Sequence, residues 1–143
     1  MNPFQSLPEY ELFVYGLSQQ YAFLRRSTLV VVRLGPVTVI VRGEIELPQG
    51  YRIVVREQIS FELGTGEIID YGYEVWQGVE QLYWYDSQPH PNNPKLASTH
   101  PHHKHVPPDI KHNRIPAPGL SFVEPNLPFL IEEIMQVLSA HDE

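Results

Sequence analysis

The run from Tyr51 to Tyr85, YRIVVREQISFELGTGEIIDYGYEVWQGVEQLYWY, does most to decide what this chain can become. β-Branched and aromatic residues fill three stretches of it, Tyr51 to Leu63, Ile68 to Trp76 and Val79 to Tyr85, separated only by Gly64-Thr65-Gly66 with Glu67 and by Gln77-Gly78. Connections that short cannot hold the crossover a parallel pair requires, so the strands must be antiparallel neighbours. In the first stretch Ile53, Val55, Glu57, Ile59 and Phe61 alternate with Arg52, Val54, Arg56, Gln58 and Ser60, which makes one face apolar. Glu57 interrupts that face. Either a bulge turns it away, or the carboxylate is aimed into a site.

The flanking segments complete an expected α+β fold. Residues 8–22, PEYELFVYGLSQQYA, place Leu12, Tyr15 and Gln19 at helical spacing, with Pro8 suited to a first turn. Ser27 to Val41 is strand-like and broken at Gly35-Pro36. Near the C-terminus Asn126 can cap a helix whose stripe is Leu127, Leu130, Ile131, Ile134, Val137 and Leu138. The expectation is a single domain over residues 1–143: a strongly twisted antiparallel β-meander of about five or six strands, with an N-terminal and a C-terminal helix packed on one face.

Composition narrows the chemistry. The chain has no cysteine, which excludes disulfides, thiolate catalysis and cysteine-based metal sites. No apolar run approaches the ~20 residues of a membrane span, and the N-terminus lacks signal-peptide character, so a soluble cytoplasmic protein with no membrane partner is expected. The net charge of −7 is uneven: residues 86–123 carry four bases against two acids, and residues 124–143 carry five acids and no base. The positive part is therefore the stretch richest in histidine. A local patch of that kind can hold a phosphate even on an acidic protein.

That stretch, DSQPHPNNPKLASTHPHHKHVPPDIKH, runs from Asp86 to His112 and contains six of the seven histidines. Its prolines forbid a helix or a central strand, so the histidines are expected on an ordered loop or an irregular edge. Histidine pairs divide the roles of base and acid near neutral pH. RNA cleavage without a metal needs little beyond such a pair and a cation near the phosphorane. His90, His102 and His105 are candidates for proton transfer, Lys104 and Arg56 for the cation, and Asp86 for orienting an imidazole. Trp84, with the neighbouring aromatics, is placed to meet a base, although most of Tyr71, Tyr73, Trp76, Tyr83 and Tyr85 are expected in the core. No cofactor is required on this reading.

The same side chains support other readings. His103 and His105 share one side of an extended segment, as do His100 and His102, and either pair with His90 or Asp86 offers ligands for zinc or another divalent metal. A third reading is structural: the loop is held by stacking on Tyr83, Trp84 and Tyr85, and the domain dimerises or binds a protein without performing a reaction.

Taken together, LYWYDSQPH followed by PHHKH, after the meander and before the C-terminal helix, resembles the TumE-like toxins of type II toxin–antitoxin systems over roughly residues 30 to 138. Tyr83, Tyr85, Asp86, Pro89 and His90 match one family motif. Pro101, His102, His103, Lys104 and His105 match the second, and Arg56-Glu57 matches a polar pair of the meander. Trp84, Ser87 and Pro91 depart from the family's Arg, Asn and second His, which leaves an impaired copy or substitution by His100 and Arg56. The resemblance implies a toxin held by a cognate antitoxin. To this the residue chemistry adds a ribonuclease or translation inhibitor, with RNA as substrate, a homodimer as a possible assembly, His90, His102, His105, Lys104 and Asp86 as catalytic candidates, Arg56, Trp84 and His103 as substrate contacts and Glu57 in support.

Overall fold

Ser6 starts the first helix by accepting the Glu9 N–H at 3.2 Å, with Pro8 in the opening turn. The helix, α1 (Leu7–Tyr15), stops at Gly16, and a short α2 (Leu17–Gln20) follows. The expected single helix is therefore broken, and its buried stripe is Leu7, Tyr10, Val14 and Leu17 rather than the one through Leu12. Leu12 and Tyr15 are exposed. The Tyr15 hydroxyl instead accepts the Val31 N–H at 2.9 Å, covering part of a sheet edge. The computed structural model describes residues 2–87, 102–110 and 113–141.

Eight antiparallel strands follow among these residues: β1 (Arg26–Ser27), β2 (Val30–Arg33), β3 (Thr38–Glu46), β4 (Tyr51–Ser60), β5 (Glu67–Gln77), β6 (Glu80–Asp86), β7 (His103–His105) and β8 (Arg114–Pro116). They form one sheet in the order β1-β3-β4-β5-β6-β7-β8, with β2 also on β3. The count exceeds the five or six expected because the histidine segment and the residues just after it join the sheet as β7 and β8. His103–His105 contains no proline, so every N–H is available to the ladder, and β7 lies between β6 and β8 rather than at an edge.

Both main helices cover one face of the sheet. From α1, the Tyr10 hydroxyl reaches Glu57 at 2.5 Å. The C-terminal helix α3 (Leu127–His141) buries Leu127, Leu130, Ile131, Ile134 and Leu138. Each such side chain contributes about 1.5–3 kcal/mol of burial. Among the described residues no helix is long and apolar enough to cross a membrane.

Gly43 shows why the β1–β2 corner needs a residue without a side chain. Its φ is +137°, and a Cβ there would lie 2.7 Å from the Thr28 carbonyl oxygen and 2.9 Å from the Leu29 Cα. Both are backbone atoms and cannot swing aside. Gly43→Ala is expected to cost about 2 kcal/mol, as backbone strain plus overpacking, read as a lower urea midpoint with unchanged slope.

Candidate active site

Pairing across the sheet puts the candidate residues in two rows on the face away from the helices. One row runs Arg42, Arg56, Gly72, Asp86, His103, Pro116, and the next runs Glu44, Val54, Glu74, Trp84, His105, Arg114. Side chains two apart on a strand share a face. Arg56, Trp84, Asp86, His103 and His105 therefore come together, and an open cleft of about 480 Å³ is lined by Arg56, Gly72, Glu74, Gln81, Trp84 and Asp86.

Asp86 is the centre of this group. Its Oδ2 lies 3.1 Å from His105 Nε2, and the other ring nitrogen, Nδ1, is 3.1 Å from the Ile110 carbonyl oxygen. Asp86 Oδ1 is 3.8 Å from His103 Nδ1 and accepts no hydrogen bond among the described residues. Burial alone would push this carboxyl up. The hydrogen bond and charge of His105, with the charge of His103 and the polar side chain of Trp84, overcome that and hold it below the usual carboxylate range. Both histidines are buried, His105 against the Trp84 ring at 4.2 Å between centroids. Asp86 itself lines the cleft, with about a fifth of its side chain exposed.

Arg56 reaches this row because its strand neighbour is a glycine. Its Nη2 would stand 2.9 Å from a Cβ at Gly72, so the guanidinium lies flat across β5 where any larger residue would displace it. Asp70 bonds its Nη1, and Ser87 Oγ donates to the other Asp70 oxygen at 3.0 Å while accepting the Tyr71 N–H at 3.0 Å. The anchored Arg56 side chain remains half exposed, with donors to spare.

Strand alternation sends His102 and Lys104 to the opposite face. His102 Nδ1 meets the Tyr71 hydroxyl at 2.6 Å, and the ring stacks beside Tyr71 and Phe122. Lys104 pairs with Glu133 of α3 at 3.5 Å and lies over the rings of Tyr83 and Tyr85. Neither shares the sheet face of His105. Glu57 is fully buried, bonded by Tyr10 and Tyr73, and Asn126 donates to the Tyr73 hydroxyl at 3.2 Å. The register irregularity lies one residue further on, between Gln58 and Ile59, so Glu57 keeps its place on the buried face. His90, His100, Pro89, Pro91 and Pro101 lie outside the described residues.

Of the metal set His90, His103 and His105, the last two share a face, and no group of three His, Asp or Glu side chains among the described residues could hold an ion. The residues that sequence reading overlooked are Gly72, Asp70, Glu74 and Gln81. A glycine between two strand tyrosines, Tyr71-Gly72-Tyr73, was the available signal of a close approach.

A family model described as Toxin TumE matches residues 16–138. No curated protein and no solved structure matches the chain.

Proposed function

The chain belongs to the TumE toxin family, and from that premise we propose that it is a ribonuclease whose active site is the Arg56–Asp86 cleft. The supporting observation is the Asp86 carboxylate, kept ionised by buried histidines and about a fifth exposed at the cleft, with a half-exposed guanidinium in the same cross-strand row. In this reading Asp86 takes the proton of a ribose 2′-hydroxyl, the 2′-oxygen bonds to phosphorus, and the P–O5′ bond breaks. The leaving O5′ takes a proton from water, giving a 2′,3′-cyclic phosphate and a 5′-hydroxyl. Arg56 stabilises the phosphorane, and Trp84 stacks a base. His105 and His103 are positioning residues that act through Asp86. A cognate antitoxin, the partner a toxin of this family implies, holds the activity in check.

The test is RNA cleavage by purified, partner-free protein in EDTA and with added divalent metals. Cleavage in EDTA is expected, reduced about a hundredfold or more by Arg56→Ala. Cleavage only with added metal would move the histidines into a ligand role, and no cleavage in either condition would overturn the reading. Gly72→Ala gives a second arm. Its Cβ meets only the far end of a flexible side chain, so stability should change by less than about 1 kcal/mol while cleavage falls toward the Arg56→Ala level. Loss of activity without displaced arginine would show as unfolding in the same sample.

A further inference from the structure

The cleft is lined by one arginine, Arg56, and two carboxylates, Asp86 and Glu74. Arg56 stands in the Asp86 row, whereas Glu74 stands beside Trp84 in the next, and Gln81 Nε2 donates to Glu74 Oε1 at 3.1 Å. Glu74, Gln81 and Trp84 are all partly exposed and line the same cleft. Asp86 and Trp84 are two residues apart on β6, about 6.6 Å along a strand, a separation comparable to that between the ribose hydroxyl and the base of one nucleoside. Arg56 is the one arginine or lysine lining the cleft among the described residues, so the phosphate belongs at its end and the base at the Glu74 end.

We propose that this end of the cleft selects guanine, read by Glu74 on its N1–H and N2–H edge while the ring stacks on Trp84. The inference rests on the ribonuclease reading for the placement of the nucleotide. Its chemical basis is that an ionised carboxylate only accepts hydrogen bonds, and it offers two oxygens side by side. Guanine alone among the four bases presents two adjacent donors on that edge. Adenine and cytosine pair one amino donor with a ring acceptor, and uracil sets a single N–H between two carbonyls, so each would press a lone pair against Glu74. Gln81 fixes the carboxylate from behind, and its second amide hydrogen can meet the guanine O6. The guanosine so bound is the one whose 2′-hydroxyl faces Asp86, so the scissile phosphate is on its 3′ side.

Two measurements separate this inference from the reading it builds on. The first titrates the full-length protein and Glu74→Gln with the four nucleoside 3′-monophosphates, following tryptophan fluorescence. The second compares cleavage of short RNAs that differ only in the base 5′ to the scissile bond. The native protein should favour guanosine about 10- to 100-fold in both, and Glu74→Gln should erase the preference by weakening guanosine more than the others. Cleavage without a guanosine preference overturns the inference and leaves the ribonuclease reading standing. Preferential guanosine 3′-monophosphate binding without cleavage of any RNA supports the base site and overturns the catalytic reading. A preference that survives Glu74→Gln overturns the role given to Glu74.

Discussion

Replacing His105 with alanine is expected to lower RNA cleavage by about a hundredfold to ten-thousandfold and to relieve growth arrest in an expressing host. In the proposed mechanism the imidazole does not touch the substrate. It faces Asp86 from behind, and the effect travels through that carboxylate's proton affinity. Burial pushes Asp86 up, and the hydrogen bond and charge of His105 are the largest of the influences that bring it down. Without them burial raises the pH at which the carboxyl gives up its proton, and a protonated carboxyl cannot act as the base. The acid limb of the pH–rate profile should therefore move to higher pH in His105→Ala. His105→Gln retains a donor toward Asp86 but no charge, so it should fold like the native protein and show a smaller shift. A loss of activity with no shift of the profile in either variant would reduce His105 to a structural role. Stability carries the same sign: because the folded-state Asp86 carboxyl is depressed, its contribution is present above the unfolded value and is lost as pH falls through the folded one.

The faces of the strands explain how much of this could be read from sequence. Turns too short for crossovers announced the meander, and period-two alternation placed Ile53, Val55, Glu57 and Ile59 on the buried face where they lie. The C-terminal stripe was legible except at its edge: Leu127, Leu130, Ile131, Ile134 and Leu138 follow one helical period and are buried, whereas Val137, expected among them, is exposed. The N-terminal helix was not, since Gly16 breaks it and its exposed residues include a leucine and a tyrosine. In the histidine segment the missing information was long-range. Among the described residues of the segment none is helical, as the prolines led one to expect, but only pairing with β6 reveals that His103 and His105 share the Asp86 face while His102 and Lys104 point to the other. Sequence proximity had grouped all four. Gly72 and Glu74 were overlooked for the same reason, since their importance comes from what stands opposite them on β4 and β6.

Glu57→Leu is expected to destabilise the fold by about 2–6 kcal/mol, the largest stability change proposed, with little direct effect on the cleft. Leucine fills most of the space but accepts no hydrogen bond. The Tyr10 and Tyr73 hydroxyls, both buried, would each lose the acceptor they now donate to, and each orphaned group costs about 1–3 kcal/mol. Burial and the adjacent Glu57 hold both phenols well above their ordinary value, so they remain donors across the accessible pH range. Asn126 adds a third element, because its amide donates to Tyr73 and thereby ties the entry to α3 to the same carboxylate. The triple variant Glu57→Leu/Tyr10→Phe/Tyr73→Phe removes acceptor and donors together and should recover most of the loss, leaving a deficit of about 1–2 kcal/mol for the Asn126 hydrogen left behind. Glu57→Gln isolates the charge. Burial raises the Glu57 carboxyl more than the two hydroxyls lower it, so its proton is held more tightly in the folded state than in the unfolded one. The corresponding stability is fully present below the unfolded value and fades as pH rises through the folded value. Urea unfolding at a series of pH values should show the native protein losing ground to Glu57→Gln as pH rises above about 4.5, the ordinary glutamate range. A difference independent of pH would mean that Glu57 folds as a fully ionised acid stabilised by its two tyrosines, and a gain in stability for Glu57→Leu would mean that burying the carboxyl costs more than the hydrogen bonds return.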